Sequence, residues 1–236
     1  MKNLKGRCVF AQSGGPTTVI NASIAGGLLE ALENESVTGV LCAHHGIKGV
    51  LDEDFFDISL EDKAELEALK HTPASAFGSG RYKLKNPAED DTDYRRILEV
   101  FKKYDVRYFF YNGGNDSMDT CDKISKYMQK SGYDVNVIGI PKTIDNDLCG
   151  TDHCPGYGSA AKYIANSIME INRDASIYPS PLVVVVEIMG RNAGWLTAAS
   201  KLASVNGFGG CVFLLTTSPR SQYRICPFFT IGNSGS

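Results

Sequence analysis

Val106-Arg107-Tyr108-Phe109-Phe110-Tyr111 is an aromatic and β-branched run that stops just short of a glycine pair, Gly113-Gly114. Residues of this kind in an unbroken block suit a strand buried on both faces, as in parallel sheets whose crossovers are helices. Cys8 to Ala11 repeats the pattern: a short apolar run, then Ser13-Gly14-Gly15-Pro16, then helical spacing from Thr18 to about Leu32, with Pro16 suited to a first helical turn. Val40 to Ala43, Val135 to Ile140 and the valine run Leu182 to Glu187 read as further strands. Between them, Leu60 to Leu69 predicts an exposed acidic helix. Tyr94 to Tyr104 predicts a helix whose stripe is Ile97, Leu98 and Phe101. Strands alternating with helices make βαβ units, hence an α/β fold with a mostly parallel sheet covered by helices.

The composition narrows the function. The chain has 236 residues, is 43% hydrophobic and 22% charged, and carries a formal net charge of -3, so it can bury a core. Its cations are mixed with acids along the chain, which speaks against a nucleic-acid surface. No run approaches the roughly 20 apolar residues of a membrane span, and Met1 to Arg7 is too short and polar to open a secretory signal, so a cytoplasmic location is expected. Seven cysteines without CxxC spacing read as reduced, mostly packed thiols, and His153-Cys154 lacks two further ligands at zinc-like spacing.

In a sheet of this type ligands bind beyond the carboxyl ends of the strands. The loops there are Ser13 to Pro16, Gly113 to Ser117, Pro141 to Asp147 and Met189 to Arg191. Adjacent glycines after a strand let backbone N–H groups approach an anion, and a following helix start adds partial positive charge; such a pair also serves as a plain tight turn. No GxxxxGK[ST] and no GxGxxG occurs. Asp145 and Asp147 stand two residues apart, so in an extended segment their carboxylates share a side. One could hold magnesium while the other accepts a proton from a hydroxyl; the same residues also suit an Asx-turn loop. Lys142 adds a cation beside them, and Arg81 and Arg191 sit next to glycines, a setting open to bidentate phosphate contact. Together these are the parts that phosphoryl transfer asks for.

Gly14-Gly15, Gly113-Gly114-Asn115-Asp116-Ser117, Pro141-Lys142-Thr143-Ile144-Asp145-Asn146-Asp147 and Met189-Gly190-Arg191-Asn192-Ala193-Gly194-Trp195 resemble, in order and approximate spacing, the phosphofructokinase family over about Arg7 to Phe213. The resemblance implies a Rossmann-like three-layer αβα fold with a second similar domain incomplete. It also implies transfer of a phosphoryl group to the C1 hydroxyl of fructose 6-phosphate with Mg2+. By the same resemblance Asp145 is the base, and Thr143, Met189, Gly190 and Arg191 hold the sugar phosphate. Gly14, Gly15, Arg81 and Gly114 contact the donor, and Asn115 and Asp147 lie on the metal side. Lys142 and Asp116 stand where ATP-using members have glycine, so pyrophosphate is the implied donor, and Asp116 repels a nucleotide's α-phosphate. Ile47 falls where many ATP users carry a tyrosine against adenine. Leu182 falls near a bacterial inter-subunit arginine.

The expected organisation is a donor-binding domain over 1–156, the first part of a fructose 6-phosphate domain over 157–215, and a divergent tail over 216–236 that reads as truncated, after a strand at Cys211 to Leu215. A homo-oligomer is expected of the full-length protein. An ATP-dependent enzyme and an inactive phosphate-binding fragment are the competing expectations.

Overall fold

The computed structural model describes residues 4–15, 17, 19–180, 182–190, 193–204, 215–218 and 221–225, the last two stretches by backbone alone. The chain divides into two compact units, Met1–Lys142 and Thr143–Ser236. The division falls earlier than the expected boundary at 156 because the segment after Lys142 bonds onto itself. Asn146 donates to Asp152 O (3.0 Å) and accepts from Cys154 N (2.7 Å).

The first unit runs β1 (Gly6–Gln12), α1 (Ile20–Glu33), β2 (Val37–Ala43), α2 (Ile47–Asp52), β3 (Phe55–Asp57), α3 (Lys63–Ala68), α4 (Thr92–Lys103), β4 (Val106–Gly113), α5 (Asn115–Lys130) and β5 (Asn136–Pro141). Its five strands form one sheet in the order β3-β2-β1-β4-β5. All neighbours are parallel except β3, which pairs antiparallel at one edge.

The two-residue period of β1 explains the layers. Val9 and Ala11 face a cluster with Phe109, Tyr111, the Tyr94, Ile97, Val100 and Phe101 stripe of α4, and Ile124 and Met128 of α5. Cys8 and Phe10 face the opposite cluster, with Ile24 and Leu28 of α1 and Leu66 of α3. Each buried Val, Leu, Ile, Phe or Met among them contributes about 1.5–3 kcal/mol on full burial. Phe10 stacks on Phe110 with ring centroids 4.8 Å apart. Mid-helix Gly27 of α1 is explained by that ring, since a Cβ there would lie 2.6 Å from Phe10. Leu98, the third residue of the expected stripe, packs at the margin of the α4 cluster. Ile47 starts α2 inside the core at 1% exposure, so its side chain serves packing. Of the described cysteines, Cys8, Cys42, Cys121 and Cys154 are buried and Cys149 is exposed.

Two expected elements differ. Instead of one acidic helix over 60–69, the chain makes a 3-10 turn at Ile58–Leu60, then α3, then a 3-10 turn at Leu69–His71. Asp62 breaks the run, because its carboxylate accepts from Ala64 N (2.8 Å) and restarts the helix as its cap. The second difference lies in the other unit, which contains α6 (Tyr157–Ser176), α7 (Trp195–Ala199), β6 (Leu215–Ser218) and β7 (Ser221–Ile225). Residues 182–187 form no strand there and stay exposed, Val183 at 88% and Val185 at 85%. A strand needs an edge to pair with, and the strands described in this unit, β6 and β7, pair with each other. That hairpin occupies part of the expected tail. Pro16 and residues 211–214 of the expected strand lie outside the described residues. Among the described residues no helix is long and apolar enough to cross a membrane.

Glu53, in left-handed backbone (φ 58) at the end of α2, ties α2 to α4. Its carboxylate accepts from Lys103 (2.5 Å), Arg96 (2.6 Å) and the Tyr104 hydroxyl (2.9 Å). These bonds, Lys103's foremost, push the carboxyl down to about 2 from 4.5. The stabilisation is therefore complete above about pH 4.5 and is lost as the pH falls toward 2. Glu53→Gln should lower the melting temperature at pH 7, and its difference from wild type should shrink through that acid window in a thermal melt series.

Candidate active site

Chain connectivity creates the crevice. From β1 the chain passes through α1 to β2 on one side, and from β4 it passes through α5 to β5 on the other, so the neighbours β1 and β4 flank a topological switch point. Gly14-Gly15 lies just beyond β1, and Gly113-Gly114 spans the end of β4. Ser13 N donates to Asn112 O (2.9 Å), which carries the β1–β4 pairing to the mouth of the crevice.

Each turn needs glycine for a different reason. Gly14 is in left-handed backbone (φ +82). Gly113 has no room, since a Cβ would meet Ser117 Oγ at 2.1 Å. That contact lets α5 begin at once, with Gly114 O accepting from Ser117 N (3.0 Å) and Met118 N (3.1 Å). The amino end of α5 therefore opens at the second turn, where its partial positive charge favours an anion. Asn115 and Asp116 occupy its exposed first turn. At Gly15 a Cβ would meet nothing within 4 Å, so the first turn has open space above it.

Lys142 joins the two turns. Its backbone N donates to Gly113 O (2.9 Å), and its ammonium donates to the carbonyl of Gly15. The residue is only 7% exposed, and a Cβ on Gly14 would stand 3.3 Å from its Nζ. A cation held in so shielded a place attracts an anion strongly. Tyr111, on the strand beneath, has its hydroxyl held above the ordinary phenol range by burial and stays protonated.

A third segment completes this rim. Ser79 Oγ donates to Gly14 O (2.5 Å) and Ser13 Oγ donates to Gly80 O (2.9 Å). Gly78 and Gly80 lie flat on His45, where added Cβ atoms would come within 2.5 Å of Nδ1 and 2.4 Å of the carbonyl oxygen. Arg81 follows directly, with an exposed side chain. Gly14, Gly15, Gly114, Lys142 and the segment bearing Arg81 thus come together. Ser13, Ser79 and His45 are site residues that the sequence reading passed over; Ser13 and Ser79 could have been noticed as hydroxyls adjoining glycines.

The remaining expected residues belong to the second unit. Thr143 Oγ1 accepts from Asp145 N (3.0 Å), and Asn146 is left-handed (φ 57). Extended alternation therefore does not orient Asp145 and Asp147, contrary to the sequence expectation, because the residue between them turns the chain. Asp147 lines an open cavity of about 580 Å³ with Asp152, His153, Tyr157 and Trp195. Met189 is exposed, and Gly190 (φ +140) lies so close to Ala193 O that a Cβ would stand 2.7 Å from it. Arg191 lies outside the described residues. Among the described residues no group of three His, Cys, Asp or Glu could hold a metal ion by itself.

Two glycine turns and a shielded lysine thus stand together at the switch point of an α/β sheet. Residues 7–220 match the phosphofructokinase family, and the chain belongs to it. The pyrophosphate--fructose 6-phosphate 1-phosphotransferases of Halomonas elongata and Methylococcus capsulatus are 52% and 50% identical to it over 198 residues, covering 82% and 83% of this chain and 47% of each relative. The crystal structure of a pyrophosphate-dependent phosphofructokinase from Nitrosospira multiformis matches with a TM-score of 0.75 at 48% identity, over 84% of this chain and 50% of that one. The chain spans about half the length of the curated relatives it matches.

The two turns should respond differently to one added methyl group. Gly113→Ala should cost about 1–3 kcal/mol of stability through its clash with Ser117, read from urea denaturation. Gly15→Ala should change stability by less than about 0.5 kcal/mol in the same measurement.

Proposed function

We propose that this chain carries the donor-binding half of a pyrophosphate-dependent 6-phosphofructokinase, which moves a phosphoryl group from pyrophosphate to the C1 hydroxyl of fructose 6-phosphate. The observation that carries the reading is Lys142, anchored by its backbone to the second glycine turn and by its ammonium to the first. A pyrophosphate entering this crevice would exchange the Gly15 carbonyl for phosphate oxygens as partner of that ammonium. Gly14, Gly15 and Gly114 would cradle the anion, with Arg81 at its rim.

In the reaction Asp145 takes the proton of the C1 hydroxyl as its oxygen attacks phosphorus. The bridging P–O bond breaks, inorganic phosphate leaves, and fructose 1,6-bisphosphate forms. Lys142 offsets the charge growing on the transferred phosphoryl and on the leaving phosphate. Thr143, Met189, Gly190 and Arg191 hold the sugar phosphate. Magnesium suits the available donors, all oxygens: Asn115 and Asp147 would hold it, with waters and phosphate completing its shell, and it would neutralise phosphate oxygens. Asp116, exposed in the first turn of α5, sets a negative charge against a longer polyphosphate and so disfavours ATP. A cytoplasmic location and a homo-oligomeric full-length protein complete the proposal.

A second reading, a phosphate-binding module without turnover of its own, is favoured by the exposed run Leu182 to Val186, an apolar stretch without cover. A coupled assay supplied with pyrophosphate or ATP separates the readings. Turnover with ATP and none with pyrophosphate would sink the proposal, while pyrophosphate binding without turnover selects the second reading.

Asp145→Ala should reduce turnover about 10²-fold or more, leaving pyrophosphate affinity near wild type. Paired Asp116→Gly and Lys142→Gly substitutions should weaken pyrophosphate use and relieve the exclusion of ATP, measured as the ratio of kcat/KM for the two donors.

A further inference from the structure

Two buried carboxamides, Gln12 and Asn21, lie behind the first glycine turn. Gln12, the last residue of β1, is fully buried, and Asn21, in the first turn of α1, is 1% exposed. Gln12 Nε2 donates to Asn21 Oδ1 (3.0 Å). Gln12 Oε1 accepts from Ser75 Oγ and Phe77 N, both at 3.0 Å. Asn21 Oδ1 also accepts from Ala76 N (2.9 Å), and Asn21 Nδ2 donates to Thr72 O (3.0 Å). Four bonds from one amide pair thus hold 72–77, a stretch that β-ladders and helices leave unsupported.

The held stretch leads directly to the rim of the crevice. Phe77 O accepts from His45 N (2.9 Å), the Ser75 hydroxyl shares its one hydrogen between Gln12 Oε1 and Gly78 O (2.8 Å), and the next residues are Ser79, Gly80 and Arg81. Ser79 holds the Gly14 carbonyl while Lys142 holds that of Gly15. The Gly14 oxygen is therefore engaged by a hydroxyl instead of facing an incoming anion as a free negative dipole.

We propose that Gln12 and Asn21 are positioning residues for the phosphoryl donor: their paired carboxamides clamp 72–77 so that Ser79 and Arg81 meet the first glycine turn in binding geometry. The proposal rests on reading that turn as the pyrophosphate site. Gln12 and Asn21 touch no substrate; they act through Ser79 and Arg81.

The test is calorimetric titration of the whole chain with magnesium pyrophosphate. Gln12→Met keeps the side-chain volume and removes the acceptor of Ser75 and Phe77. It should weaken pyrophosphate about tenfold, the equivalent of one buried hydrogen bond. It should also speed amide hydrogen exchange over 76–81. Tyr133→Phe is the control for stability alone, because the Tyr133 hydroxyl bonds the carbonyls of Phe101 (2.8 Å) and Val106 (2.9 Å) within the core. That variant should lower the melting temperature and leave the affinity unchanged. If the clamp acts through Arg81, Gln12→Met combined with Arg81→Ala should lose less than the two single losses together. Should Gln12→Met fail to fold, Ser75→Ala, which removes one of the four bonds, should weaken pyrophosphate about threefold. Wild-type binding with unchanged affinity in the folded variants overturns the positioning role alone. No binding by wild type overturns the donor reading and this proposal together.

Discussion

β1 contributes Cys8, Val9, Phe10 and Ala11 to the interior, each at most 1% exposed, and both of its edges pair with parallel neighbours. Such a strand can meet ligand only at its end. The rest of the first unit follows from this constraint. α1 covers one face of the strand, α4 and α5 cover the other, and the chain leaves it through the turn at Gly14-Gly15, with open space at Gly15. Gly27 shows how closely that packing controls the sequence, for a residue poor in helix propensity is tolerated where the Phe10 ring leaves no space for a methyl group.

The electrostatics of the crevice follow from the same topology. Crossovers leaving β1 and β4 in opposite directions clear the space between their ends, and β5 then delivers Lys142 to it from the far side of β4. A lysine 7% exposed concentrates its field because little water screens it. Asp116, close by in sequence to the second glycine pair, is instead exposed on the first turn of α5, where water screens its charge. The chain is slightly acidic overall, so the positive field at Lys142 is a local property.

The second unit shows what a strand-like sequence cannot do alone. Leu182 to Val186 has the β-branched composition of a central strand, but a strand is a relation between neighbours, and the described strands of that unit satisfy each other as a hairpin. Asn146 makes a related point within a single loop. Sequence spacing sets Asp145 and Asp147 two apart, yet a left-handed residue between them, pinned by Asp152 and Cys154, removes the alternation on which that spacing argument relies.

From sequence alone the α/β class, the strands at Cys8, Val40, Val106 and Val135, the amphipathic stripe of α4 and the glycine turns after β1 and β4 were legible, because each is written in local periodicity or in glycine, proline and charge at short spacing. The family was legible from the order of the four motif-bearing loops and agrees with the match over 7–220. The sequence could not say which loops meet, since that depends on strand order. β1 and β4 became neighbours through pairing across more than ninety residues, which brought Lys142 back onto Gly15. Nor could it reveal that Gln12 and Asn21 reach 72–77, because a buried amide is recognised by the partners that satisfy it, and those partners lie more than fifty residues away. Local composition determined which elements this chain forms and which groups it carries; long-range hydrogen bonding and burial decided where those groups stand.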